Sequence, residues 1–214
     1  MLEALDRETE RLVLETSARS TRPTVFVFLG DNGSAAEVYR RPTQGKQRAR
    51  ATLYDGGVRV PLMIWTDKAT QPAILPGAYE HLVQGADLFA TLAEIAGVPP
   101  RRLYQSAETR DSTSLLAMLQ TGPARSQPPR NFAFVQQGNE QRMPYAYGAI
   151  DRDGLKLILR EQARQTTYSP GVLVELYDTI EDPDELQNLF PSTCGATLAG
   201  MSELLGYIDR TAAS

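Results

Sequence analysis

Five consecutive apolar residues, Val25-Phe26-Val27-Phe28-Leu29, lie between Pro23 and the run Gly30-Asp31-Asn32-Gly33. This stretch constrains the fold more tightly than any other part of the chain. No polar residue interrupts it and turn-forming residues bound it, so it reads as a continuous buried strand, the kind found at the centre of a parallel sheet. In open α/β sheets ligands collect beyond the carboxyl ends of the strands, which makes Asp31 and Asn32 functional candidates on geometric grounds. Asp-Asn-Gly is equally good turn chemistry, and taken alone it favours a turn.

The flanking segments extend this into an α/β pattern. The opening stretch MLEALDRETERLVLETSARS sets Leu2, Leu5, Leu12 and Val13 among charged residues, as in an amphipathic surface helix. Residues 34–52 are polar and Arg-rich and read as a surface loop. They lead to Tyr54-Asp55-Gly56-Gly57, where the glycine pair allows a tight turn or a close approach of backbone to ligand. A second apolar strand is expected over residues 58–65. In ADLFATLAEIAGV, Leu88, Leu92, Ile95 and Ala96 recur at helical spacing, and Gly97 with Pro99-Pro100 ends the helix. Helix, strand, loop, strand and helix in this order form part of an α/β layer architecture.

Beyond residue 101 the character changes. A loop, a short helix over 114–120 and the Pro-rich linker TGPARSQPPR precede strand-like stretches at 131–137, 147–150, 155–160 and 172–177. Asp153-Gly154 between two apolar stretches signals a hairpin. EDPDELQNLF reads as an acidic turn entering a short helix, and residues 196–208 as a terminal amphipathic helix. The expected organisation is an α/β core piece over 1–105 and an α+β subdomain with a small antiparallel sheet over 106–214.

Composition excludes several function classes. Lys plus Arg number 22 and Asp plus Glu 26, a formal net charge of −4, which offers no bulk field for nucleic acid or an anionic membrane. The one cysteine, Cys194, cannot form an internal disulfide or build a cysteine-based metal site. The one histidine, His81, excludes sites that need two imidazoles. No uninterrupted apolar stretch serves as a secretory signal. The longest apolar run, five residues, is far below the roughly 20 that span a bilayer as a helix. A soluble chain is expected, with any export signal preceding Met1.

The motifs resemble, in order, those of the C-terminal portion of the sulfatases, within the alkaline phosphatase superfamily. TVFVFLGDNG resembles the family's strand ending in Asp-Asn-Gly, LYDGGVRVPLMIW its Glu-Gly-Gly-x-Arg strand, and ADLFATLAEIAGV its Asp-Leu-Phe helix. DSTSLLAMLQTG, DGLKLILR and ELYDTIEDPDELQNL are similar to three further family stretches. The resemblance implies an alkaline phosphatase-like α/β sandwich with a C-terminal α+β subdomain. It further implies a calcium-dependent hydrolase of sulfate esters whose nucleophile is a formylglycine made within Cys/Ser-x-Pro-x-Arg. The family's metal ligands carry over to Asp31 and Asn32, hard oxygen donors of the type Ca²⁺ takes. The family's sulfate-binding lysine falls on Arg50, five residues before Asp55; Lys46, four residues earlier, is the alternative. Arginine keeps the charge and binds an oxyanion bidentately, but it cannot shuttle a proton at neutral pH. Arg59 is expected to support the Gly-Gly turn.

The nucleophile is not expected in this chain. Ser126-Gln127-Pro128-Pro129-Arg130 matches its pattern, but in the linker rather than after an early strand, and is read as coincidence. Cys194 lacks the Pro and Arg and reads as a plain thiol, and His81 as a surface or satisfied core residue. The sequence is expected to begin mid-domain, with the nucleophile and about half of the metal site supplied by a missing N-terminal half or a complementing chain. The chain alone is then expected to be inactive. Phosphodiester or phosphonate hydrolysis on the same scaffold, and a non-catalytic partner or remnant module, are the alternatives.

Overall fold

The computed structural model describes residues 2–35, 37–38, 48–69, 73–99, 102, 111–139, 142–161, 172–191 and 195–212. The chain divides into two compact units, Met1–Gly30 with Pro61–Pro129 and Asp31–Val60 with Arg130–Ser214.

The first unit opens with helix α1 (Leu2–Arg19), which buries none of its residues. Arg11 bridges Glu8 and Glu15 at 2.8 and 2.9 Å along its surface, pairs at the spacing that places side chains one turn apart. Strand β1 (Val25–Leu29) pairs with β2 (Leu62–Thr66), Val27 opposite Ile64, and Phe26 stacks on Trp65 with centroids 5.3 Å apart. The pairing is antiparallel and most of β1 is only half-buried, which corrects the expectation of a fully buried parallel strand. The chain returns along the same edge, Gly30 N–H donating to the Pro61 carbonyl at 3.0 Å, so no crossover helix is needed. The expected strand over 58–65 likewise starts late, at Leu62. Residues Asp55–Val58 form a helical turn, α2, and Pro61 has no N–H to give a ladder.

Helix α3 (Asp87–Ile95) is held at its first turn by its own acidic residue. Asp87 is fully buried and accepts from the Gln84 and Thr113 N–H groups at 2.8 Å each. Thr91, one turn later, accepts from Leu115 N–H at 2.9 Å, which ties in helix α4 (Leu116–Thr121). Leu115, Met118 and Leu119 are buried against Leu62, Ile64, Ile74, Tyr79 and Val83. The aspartate and threonine of the ADLFATL motif thus do structural work, satisfying backbone donors that burial would otherwise orphan.

The second unit is built on an antiparallel meander of β3 (Phe132–Asn139), β4 (Arg142–Asp151), β5 (Leu155–Glu161) and β6 (Val172–Asp178). The Asp153-Gly154 hairpin is present. Gly154 has φ +88° and Asp151 Oδ1 accepts from the Asp153 and Leu155 N–H groups at 2.9 Å each. The left-handed residue at the end of a short loop matches the twist of the flanking strands. Helix α5 (Gly195–Ala212) covers one face of the sheet, burying Leu204 and Ile208 on Ala149, Leu157 and Leu176. The segment around Leu53 and Tyr54 covers the other, against Ala146, Ile158 and Tyr177. Alternation along β5 therefore sends Leu155, Leu157 and Leu159 towards α5 and Ile158 to the opposite face.

The helix expected within EDPDELQNLF does not form. Asp178 Oδ1 accepts from the Ile180 and Glu181 N–H groups, Asp182 Oδ2 from Gln187, and Asn188 Oδ1 from Leu176 and Phe190. Short polar side chains here take the backbone donors a helix would use, and a chain of turns results.

Candidate functional site

Asp31 directly follows Gly30 at the end of β1; its side chain is exposed and that of Asn32 is half-buried. Their position is fixed by backbone contacts just beyond them. Gly33 N–H donates to the Gly57 carbonyl at 2.9 Å and Arg50 N–H to the Ser34 carbonyl at 2.8 Å. A Cβ on Gly33 would stand 1.9 Å from the Gly56 carbonyl oxygen, and one on Gly57 2.3 Å from that of Thr52. These approaches are closer than any side chain permits, so the glycines serve direct backbone contact. The fold thereby brings the Asp31-Asn32 segment to the one carrying Arg50, whose side chain is exposed.

The loop leading to Gly57 is anchored by two buried side chains and is conformationally strained. Ala49 and Leu53 are 0% and 1% exposed, and between them Ala51 has φ +65°, its carbonyl accepting from Gln137 Nε2 at 2.6 Å. A left-handed alanine costs roughly 1–2 kcal/mol and persists only where surrounding contacts enforce it. The other described non-glycine residue with positive φ is Glu185, at +54°. It belongs to the same assembly.

Glu185 is completely buried and Lys156 is 2% exposed. Lys156 Nζ lies 2.6 Å from Glu185 Oε1 and 2.8 Å from Asp55 Oδ1, while Glu185 Oε2 accepts from the Asp55 N–H at 2.7 Å. The lysine and the glutamate thus hold both the side chain and the backbone of the residue that begins the Gly-Gly turn. Burial pushes the Glu185 carboxyl above its ordinary range, against the opposing pull of Lys156 and the Asp55 N–H. Arg59 reaches Asp55 Oδ2 at 3.5 Å with its side chain 77% exposed, a weak support for the turn.

A second polar cluster flanks this one. Glu175 accepts from the Tyr54 hydroxyl at 2.6 Å, the Tyr177 hydroxyl at 2.8 Å and Arg160 Nε at 3.1 Å. Burial works to raise its carboxyl, but these three donors outweigh burial and hold it below the usual range. Both phenols are pushed up by burial and by that carboxylate and stay protonated donors. The Arg48 guanidinium lies 4.4 Å over the Tyr54 ring, and that of Arg160 5.2 Å over it, within cation–π range.

Both clusters draw on the family-like stretches LYDGGVRVPLMIW, DGLKLILR and ELYDTIEDPDELQNL, but the resemblance gives Lys156, Glu175 and Glu185 no role. The available signal is periodicity: in a strand buried on both faces, Lys156 and Arg160 break an otherwise apolar stretch. A lysine at such a register needs buried acids opposite it.

Of the other sequence candidates, His81 and Ser126 contact each other. Lys46 and Cys194 lie outside the described residues. His81 Nε2 is 2.9 Å from Ser126 Oγ and 3.2 Å from the Ser126 carbonyl, while Ser126 Oγ also reaches the Pro123 carbonyl at 3.1 Å. Arg130 Nη1 donates to the Phe132 carbonyl at 3.3 Å. Ser126 and His81 belong to the first unit, whereas Asp31, Asn32 and Arg50 belong to the second. Among the described residues no group of three or more His, Cys, Asp and Glu side chains is arranged to hold a metal ion. No described helix is long and apolar enough to cross a membrane.

Comparison with known proteins shows what the chain is similar to. Residues 1–98 match the family model described as Sulfatase. Human arylsulfatase A is 28% identical over 186 residues, covering 81% of this chain and 35% of that protein. Arylsulfatase K of Xenopus laevis is 26% identical over 169 residues, covering 78% and 28% respectively. The solved structure of BT4656 with its substrate D-glucosamine-2-N,6-O-disulfate superposes with a TM-score of 0.67 at 22% identity, covering 98% of this chain and 38% of that one. The chain is sulfatase-like. Its mixed α/β fold with antiparallel sheets is that of sulfatases, also matched by a Bacteroides thetaiotaomicron protein assigned to them, with a TM-score of 0.59 over 87% of this chain. The chain spans about a third of the length of these relatives.

Proposed function

We propose that this chain furnishes part of the cation- and oxyanion-binding apparatus of a sulfate-ester hydrolase. The observation that carries the reading is the backbone junction of Gly33 with Gly57 and of Ser34 with Arg50, at 2.9 and 2.8 Å. It brings a carboxylate and an amide, Asp31 and Asn32, to the segment that bears a permanent cation. In this reading Asp31 and Asn32 ligate a divalent cation, Ca²⁺ by donor type, and Arg50 contacts the sulfate. The donors fit Ca²⁺ in kind, but two residues fall well short of its roughly six to eight oxygens. Further donors must therefore come from elsewhere. When bound, the cation would polarise the sulfate oxygens as a Lewis acid. Arg50 would orient the sulfate through its planar fork and leave proton transfer to another group.

Turnover in this reading requires a polypeptide that brings the Cys/Ser-x-Pro-x-Arg nucleophile and more acidic ligands. The share of the relatives' length that the chain spans supports this. Two measurements test the reading. Ca²⁺ titration of the chain should give binding that disappears in Asp31→Ala; a variant that binds as well as the parent removes Asp31 from the site. The purified chain with Ca²⁺ should leave an aryl sulfate intact. Hydrolysis that vanishes in Asp31→Ala would show instead that the chain is self-sufficient. A parallel panel of phosphodiester and phosphonate substrates, run on the completed protein, separates sulfate chemistry from its alternatives.

A further inference from the structure

The Lys156–Glu185–Asp55 cluster does more than fill space under the sheet. It has three features that simple packing does not require. Two of its members are almost completely buried charges, which proteins seldom tolerate unless a specific geometry repays the desolvation. Glu185 is held at φ +54°, a conformation unfavourable for a residue with a side chain. Its two oxygens are also divided between the lysine and a backbone N–H, that of Asp55 at 2.7 Å.

Asp55 begins the turn whose next two residues touch Gly33, as the Gly33–Gly57 hydrogen bond and the near-contact of Gly33 with the Gly56 carbonyl show. A continuous mechanical path runs from Lys156 on β5 and Glu185 in the acidic turn, through Asp55 and Gly56-Gly57, to Gly33 beside Asn32 and Asp31. Strain at Ala51, next to Arg50, marks the other arm of the same loop. We propose that Lys156 and Glu185 are positioning residues that set where Asp31, Asn32 and the Arg50 backbone stand. They touch neither cation nor sulfate; they act through the Asp55-Gly56-Gly57 turn. This inference rests on the cation reading proposed above.

The test uses the full chain, Tb³⁺ alone as the probe for an oxygen-donor cation site, and amide NMR shifts. Four variants are compared: Lys156→Met, Lys156→Arg, Glu185→Gln, and Leu204→Ala as a control that destabilises the opposite face of the same sheet. The expected result is that Lys156→Met and Glu185→Gln move the Asn32, Gly33 and Gly57 amide resonances and raise the Tb³⁺ Kd at least tenfold. Leu204→Ala, despite lowering Tm, leaves both unchanged. Lys156→Arg, which keeps the charge, should restore part of the affinity.

Glu185→Gln keeps the shape and an acceptor for the Asp55 N–H, so it carries the test if Lys156→Met does not fold. A folded Glu185→Gln with parental shifts at Asn32 and Gly33 overturns the inference, as does a loss of affinity in Leu204→Ala equal to that of the cluster variants. Absence of Asp31-dependent Tb³⁺ binding in the parent would instead overturn the cation reading, while the amide shifts still decide whether the cluster positions the loop.

Discussion

At the scale of single residues, Glu175 shows how charge is tolerated inside the second unit. Three donors converge on its carboxylate, and a hydrogen bond to a charged group contributes roughly 1.5–3 kcal/mol net. Because the folded carboxyl sits below its ordinary value of 4.5, the unfolded chain takes up the proton first as pH falls. Its contribution is therefore present above about pH 4.5 and is lost as pH drops through the folded value. Glu175→Gln should cost roughly 1.5–3 kcal/mol at pH 6, and the deficit should shrink as pH falls from there through the lowered folded value of the parent carboxyl. Urea denaturation of both proteins across that range measures it. A deficit independent of pH would mean that the glutamate contributes only its shape. Leu157, 0% exposed between β5 and α5, provides an apolar comparison. Leu157→Ala should cost about 2–5 kcal/mol with no such pH dependence.

At the scale of elements, Gly33 and Gly97 separate two uses of glycine. A Cβ on Gly33 meets the Gly56 carbonyl oxygen at 1.9 Å and the Gly57 Cα at 2.8 Å, both backbone atoms that cannot swing aside. Gly97, at φ +85°, has nothing within 4 Å of where its Cβ would sit. Gly33→Ala should therefore reach the upper end of overpacking costs, about 3 kcal/mol. Gly97→Ala should cost only the roughly 1–2 kcal/mol of a left-handed alanine. Thermal melts of the two variants decide it, and equal losses would mean that the Gly33 junction yields to a methyl group. The same contrast explains what the sequence made legible. The meander, the Asp153-Gly154 hairpin and helices α3 and α5 follow from short-range periodicity and turn residues, although β4 begins at Arg142, five residues before the expected strand. The pairing direction of β1 depends on where the chain goes after Gly30, and the helix expected after Asp182 lost to side chains competing for backbone donors. Asp31 is a candidate from its place beyond an apolar strand, and Arg50 only through the sulfatase resemblance. The pairing of Lys156 with Glu185 stays hidden although both lie in family-like stretches, because it joins residues 29 apart in sequence across β6 and an acidic turn.

At the scale of the whole molecule, the decisive quantity is how many oxygen donors one chain brings to a cation. Among Ca²⁺ sites that supply a full set of oxygens, ligand charge and site rigidity tune Kd from roughly 10⁻³ M to below 10⁻⁷ M. In the proposed reading, with Asp31 and Asn32 as its contribution, this chain should bind Ca²⁺ no tighter than a Kd of about 1 mM, the weak end of that range. At 10 mM Ca²⁺ such a site stabilises the folded chain by at most RT ln 11, about 1.4 kcal/mol. Magnesium, which demands near-ideal octahedral geometry and gives up its waters reluctantly, should stabilise it less. Calorimetric unfolding with and without each ion should therefore show a small upward shift for Ca²⁺ that disappears in Asp31→Ala. Adding a polypeptide with further carboxylates should then lower the Ca²⁺ Kd by orders of magnitude, because each new donor joins a loop already fixed by Gly33, Gly57 and Arg50. Micromolar Ca²⁺ affinity in the chain alone would contradict this, since it would require donors beyond Asp31 and Asn32 within the chain itself.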